Sequence, residues 1–249
     1  MKKLILFTLA CFVFSTVSSI SSFAAGDGMP DYKTLKSALQ KVVGTQNGGF
    51  ELNMWATVVD RDGVVKAVLF SGNDRGDQWP GSRLISAQKA NTANAFSLPG
   101  LALSTANLFS AVQPGGSLYG LQHSNPINTE VAYQGDSEKI GTAADPLVNH
   151  KIGGVNVFGG GLPLYNKTGK LIGAIGVSGD SSCADHHIAW KVRHALELDY
   201  VPAGVSPDKN DNIVYDISNG ASQSGWGHPA CAPGVADVAK ALPMTRKVK

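Results

Sequence analysis

Charge and cysteine are both scarce in this chain, and several familiar signatures are missing. Only 16% of its 249 residues are charged, with a formal net charge of +2. Such a balance provides no basic footprint for nucleic acid or an anionic membrane surface. Beyond the N-terminus no apolar run approaches the ~20 residues of a membrane span. No Gly-x-Ser-x-Gly elbow, Walker A loop or Rossmann glycine pattern occurs, so the usual marks of a serine hydrolase, a P-loop enzyme or a dinucleotide enzyme are lacking. The histidines avoid metal spacing on a helix: Trp190 stands four residues after His186, and Lys191 four after His187. His187 and His194 share a helical face but are separated by about 10 Å of rise, too far for one ion. Asp208 to Asn212 begins like a calcium loop, yet Ile213 replaces the glycine and Asn219 the final glutamate.

What is present begins with an export signal. Lys2 and Lys3 precede an apolar run from Leu4 to Val17, and Ser22-Phe23-Ala24 supplies small residues for cleavage before Ala25. Residues 1–24 therefore read as a signal peptide, with the bacterial periplasm or the medium as destination. Cys11 lies within the apolar region and is not a lipoprotein cysteine. Cleavage removes two lysines and no acid, leaving a neutral mature chain with no further membrane insertion expected. About 225 residues suffice for one domain with a substantial core. Only Cys183 and Cys231 remain, and an oxidising compartment favours one disulfide between them. It would close a loop of roughly 48 residues, an entropy gain on the order of 4 kcal/mol. Free thiols, or bonds between subunits, are the alternatives.

Periodicity outlines the rest. Asp31 caps a helix to Val43, with Leu35, Ala38, Leu39 and Val42 on one face. Asn53–Val59 and Val64–Phe70 form a hairpin around Asp60-Arg61-Asp62-Gly63. Ser82 opens an alanine-rich helix to Phe96, and Ser104–Val112 reads as a shorter one. Residues 113–153 are a polar excursion, too long for an ordinary connection. Leu162 and Leu164 alternate on a strand, Asn166 to Gly169 turn, and Leu171–Val177 returns. Ala184–Leu198 is the last long helix. The tail 201–249 is loop-rich, with a strand at Ile213–Asp216 and a short helix at Val235–Leu242. Two hairpins flanked by helices imply an α+β fold: one domain, 25–249, with a largely antiparallel sheet and packed helices.

The stretch from Gly159 to Leu196 is the most specific. Gly173, Ala174 and Gly176 leave room for another backbone or a flat ligand to approach. Ser182 reads as the N-cap of the following helix, with Asp185 completing a capping box. The pattern GGGLPLYNKTGKLIGAIGVSG, followed by Asp and Ala, resembles the GlcG/HbpS-like haem-binding family. So does Ser86-Ala87-Gln88-Lys89-Ala90-Asn91-Thr92-Ala93, like that family's Lys-Ala-x-Thr-Ala helix. LQHSNPI, SCADHHIAW and GWGHPAC are similar to a secreted bacterial subgroup. The resemblance implies the same α+β fold, self-association and tetrapyrrole binding. It implies no settled reaction.

A haem iron needs only one or two axial ligands. His186 is the first candidate, with Trp190 as an aromatic wall and the helix end at Ser182 for a propionate. The bland alternative is a surface histidine at a helix start. His187 points about 100° away and is expected in solvent. A Cys183–Cys231 bond would carry Trp226 and His228, the other candidate axial ligand, to the 178–187 loop, or would merely staple the tail with Trp226 covering apolar surface. Arg83 and Lys89 on the second helix are candidates for ligand carboxylates; surface ion pairs are the alternative. The leading function is thus an exported haem- or tetrapyrrole-binding protein for storage, trafficking or sensing, forming a homo-oligomer through its small-residue surfaces. A haem-degrading or peroxidase-like enzyme ranks second, since no complete catalytic constellation is visible, and a module for another small carboxylate third.

Overall fold

The computed structural model describes residues 28–249, so the signal peptide expected at residues 1–24 lies outside the described residues. Helix α1 (Tyr32–Val43) begins where Asp31 accepts the Thr34 N–H at 2.8 Å, and it buries Leu35, Leu39 and Val42. Strands β1 (Trp55–Asp60) and β2 (Val65–Phe70) pair antiparallel. Their turn is held by Asp60, whose Oδ1 accepts from the N–H groups of Asp62 and Val64. Helix α2 spans Ser82–Phe96.

After α2, two 3₁₀ turns (Thr105–Leu108 and Ser110–Val112) replace the helix expected there. The Asn107 side chain accepts both the Ser104 N–H and hydroxyl, closing one tight turn rather than opening a helix. The excursion carries two short helices, α3 (Leu121–Ser124) and α4 (Thr129–Tyr133). It is packed rather than loose. Ala132, Leu147 and Ile152 are buried, and Val65 exchanges backbone hydrogen bonds with Asn149 and His150.

Strands β3 (Gly161–Tyr165) and β4 (Leu171–Ser178) form the second hairpin around Gly169, whose φ of 73° suits glycine. The four strands make one antiparallel sheet in the order β2-β1-β4-β3. Helix α5 (Ser182–Ala195) and α1 cover one face, over Ala56, Val58, Leu162, Ile175 and Val177. Helix α2 covers the other, seating Ala87, Ala90 and Ala93 against Trp55, Val59, Val68 and Ala174. Side-chain alternation along β1 and β4 thus feeds two cores.

The small residues serve this second contact. A Cβ on Gly176 would lie 1.9 Å from Ser86 O and 2.5 Å from Ala90 N, and one on Gly161 would lie 2.5 Å from Lys89 O. The space along β3 and β4 is filled by the backbone of α2 and not by a flat ligand. The alanine face of α2 points inward for the same reason and offers no flat outer surface for association.

In the tail, Val214 makes only a single bridge to Gly227 where a strand was expected. A two-stranded ribbon of β5 (Ile217–Ser218) and β6 (Ala221–Ser222) follows, then α6 (Val235–Lys240). Asp211 in this tail pairs with both terminal nitrogens of Arg193 on α5, at 2.6 and 2.8 Å, with neither side chain exposed. Among the described residues no helix is long and apolar enough to cross a membrane.

Candidate functional site

The expected site residues fall into four neighbourhoods. The first is a cleft of about 320 Å³ between α2 and the β4–α5 junction. Lys89 and Asp185 sit in its floor, with Ser182 and Asp180 beside them and the exposed Trp79 and Phe158 at its edge. Lys89 Nζ donates to Asp185 Oδ2 at 2.6 Å and to Val177 O at 3.1 Å. This is a buried ion pair, not the surface pair that the bland reading anticipated. Burial lowers the Lys89 ammonium's affinity for its proton, against the attraction of Asp185. Burial likewise pushes the Asp185 carboxyl up to about 6, opposed by Lys89.

This pairing rewrites the start of α5. Ser181, one residue earlier than expected, is the N-cap, its Oγ accepting from the Ala184 N–H at 3.3 Å. Asp185 turns inward to the ammonium and accepts the Asp180 N–H, so it completes no capping box with Ser182. Ser182 Oγ instead accepts the Gly159 N–H at 2.7 Å and meets His228 Nε2 at 2.7 Å.

The second neighbourhood is the interior beneath α5. His186 has no exposure; its Nε2 lies between the Ile213 N–H (3.1 Å) and Asn212 Oδ1 (3.2 Å). Trp190 packs beside it and donates its indole N–H to Pro243 O. His187, expected in solvent, is fully buried because the 45–49 segment covers it: Nδ1 donates to Asn47 O at 2.9 Å, and Gly48 packs alongside. Burial, then the neighbouring His187, drives His186 well below the ordinary imidazole range. Burial brings His187 down to about 4. Both rings stay neutral.

The third neighbourhood is the tail junction. Cys183 and Cys231 are disulfide-bonded, with Cα atoms 5.9 Å apart. The bond does bring His228 to the loop, where it meets Ser182 and tilts against Phe109. Its Nδ1 lies 2.7 Å from Pro229 O, and burial lowers its pKa to about 4. Trp226 is not carried there. It is half-buried against the cluster containing Leu103, Val112 and Val157, as in the reading that has it cover apolar surface.

The fourth is a groove of about 560 Å³ at the start of α2. Trp55, Pro80, Leu84 and Ile140 give it apolar walls, and Arg75, Arg83 and the exposed Tyr133 also line it. Arg83 holds Asp145 with two hydrogen bonds, at 2.9 and 2.5 Å, and so ties the excursion to α2. Arg75 is more open, pairing with Glu138 at 3.6 Å. Tyr133, Arg75 and Asp145 escaped sequence reasoning because they lie in or opposite an excursion without periodicity.

One antiparallel sheet with helices on both faces, a glycine hairpin seated on a small-residue helix and a buried Lys89–Asp185 pair together define a single-domain α+β protein. The sequence matches the family described as haem degrading protein HbpS-like over residues 33–193, and the chain belongs to that family. It is 32% identical over 158 residues to a 15.0 kDa protein of the dhaT–dhaS intergenic region of Citrobacter freundii, covering 63% of this chain and 86% of that one. Among solved structures it is similar to the Klebsiella pneumoniae protein ORFY (26% identity, 66% and 86% coverage, TM-score 0.46). It is also similar to a PduOC:heme complex (25% identity, 66% and 89% coverage, TM-score 0.45).

Proposed function

We propose that this chain is an exported haem- or tetrapyrrole-binding protein, used for storage, trafficking or sensing, and that the plate sits in the groove at the start of α2. Family membership supports haem-related binding. The groove carries the assignment of the site: it joins apolar walls with two guanidinium groups and lies within the usual range of ligand pockets. Arg75, held by its exposed pair with Glu138 and by Ser137 O, would turn to a propionate, while Arg83, neutralised by Asp145, fixes the wall behind it. Tyr133 is the phenol at the groove available to iron; tyrosine is a known axial ligand class. His186 and His228 fit this role less well. Each is buried, and neither lines the groove or the cleft. Haem itself supplies the redox-active iron; the chain's part is to bind, orient and screen it.

Titration of haem into the protein tests this. A Soret band saturating at fixed stoichiometry is expected, with affinity lowered about tenfold or more in Arg75→Ala, the loss of one charge-assisted contact, and an altered spectrum in Tyr133→Phe. Unaltered binding in both variants, with loss in His228→Ala, would move the site to the tail junction. Absence of any saturable band would remove the function. Self-association belongs to the same proposal, and light scattering of the purified protein tests it. The cleft above Lys89 favours a second reading, a small-carboxylate module; calorimetry with short carboxylates, with binding abolished in Lys89→Met while circular dichroism shows that variant folded, would support it.

A further inference from the structure

The tail junction holds a group that the haem reading does not use. Ligand atoms of Cys183, Cys231 and His228 all lie within 4.8 Å of one another. We propose that these three residues form a redox-gated site for a thiophilic cation such as Zn²⁺ or Cu⁺: a disulfide when oxidised, a Cys₂His metal site when reduced.

The surroundings place a backbone donor on each sulfur. The Cys183 N–H donates to Cys231 Sγ at 3.1 Å, and the Cys231 N–H returns to Cys183 Sγ at 3.2 Å. Pro229 O lies 3.6 and 4.0 Å from the Cys183 and Cys231 sulfurs and opposes this, so the bound cation itself must draw out the thiolates. Cys183 is the second residue of the 14-residue helix α5, where the helix end further favours a thiolate. Soft thiolates with one imidazole select Zn²⁺ or Cu⁺ over hard cations. His228 comes with the outer contacts that orient ligating imidazoles: Pro229 O on Nδ1 and Ser182 Oγ on Nε2. Ser182 would release the nitrogen that the metal takes.

Access and persistence are both built in. Cys231 is exposed while Cys183 is buried, so a dithiol reductant attacks Cys231 Sγ and expels Cys183 as thiolate. Its second thiol then releases Cys231. The reductant leaves as a cyclic disulfide, oxidised by two electrons, and the chain gains two thiols. A divalent ion binding there displaces their two protons. Other contacts keep the tail docked after reduction: His228 N–H to Val214 O at 2.8 Å, and Ser110 Oγ to Gly227 O at 2.6 Å.

The test uses the full mature chain, reduced with a dithiol and desalted without oxygen, then titrated with Co²⁺ and Zn²⁺. One Co²⁺ per chain is expected, with thiolate-to-cobalt charge-transfer absorption that Zn²⁺ displaces. The oxidised protein should show none. Cys231→Ser should lose the band, and His228→Gln should bind at least tenfold more weakly, since even outer-contact losses at metal sites cost 10–100-fold. Circular dichroism should show the reduced chain still folded. The proposal is overturned by stoichiometric failure to bind, by binding without thiolate absorption, by undiminished affinity in His228→Gln, or by unfolding on reduction. None of these results bears on haem in the groove.

Discussion

Acid should begin to weaken this protein at pH values above the range in which carboxylates alone would titrate. His186, His187 and His228 are buried and neutral. An unfolded histidine takes a proton near pH 6.5, whereas burial delays His187 and His228 in the folded chain to about 4. Between those values the unfolded state binds more protons, so stability is full above about pH 6.5 and falls as the pH drops through 4. At about 1.4 kcal/mol per tenfold, each of the two contributes a loss of roughly 3 kcal/mol, and His186 adds to it in the same direction. Asp185 opposes them. Its folded value of about 6 lies above its unfolded value of 3.8, so its contribution is present at low pH and lost as pH rises through 6. Acidification thus returns about 3 kcal/mol there. The net loss, on the order of 4 kcal/mol or more, is a large part of a typical domain's stability. Urea denaturation at pH 7, 5.5 and 4 measures it. His187→Gln and His228→Gln should each flatten the pH profile while lowering stability at pH 7. A flat wild-type profile between pH 6.5 and 4, or variant profiles parallel to it, would refute the reasoning.

Two further outcomes follow from the packing. Lys89→Met leaves the Asp185 carboxylate without its cation and should cost about 3–5 kcal/mol, whereas Lys89→Met/Asp185→Leu should recover most of it; thermal unfolding of both decides, and a double variant no more stable than the single would show that the pair is not the unit. Gly176→Ala forces α2 off the sheet and should cost about 1–3 kcal/mol or more by denaturant titration, while Gly100→Ala, which meets nothing within 4 Å, should be near neutral; equal effects would deny the close seating of α2.

The sequence by itself determined the local elements. Both hairpins, α1, α2 and α5 were legible because they rest on period, turn chemistry and caps within a few residues: Asp31 before α1, Asp60 to Gly63, and Asn166 to Gly169. The disulfide was legible from the two cysteines, Cys183 and Cys231, that lie outside the expected signal segment. Tertiary structure alone decided what those elements do to one another. Lys89 and Asp185 are 96 residues apart in sequence, and only the seating of α2 on β4 makes them a pair, which then takes Asp185 from its expected cap. The glycines of β3 and β4 announced a close approach but not its occupant, because a missing Cβ is equally open to a helix and a ligand. His187 looked solvated from helical angle alone; the 45–49 segment that buries it comes from the far end of the chain. The groove beside α2 belongs to the same class. Its walls come from three segments without shared periodicity, joined by Arg83 on Asp145 and Ala132 O and by Arg75 on Ser137 O.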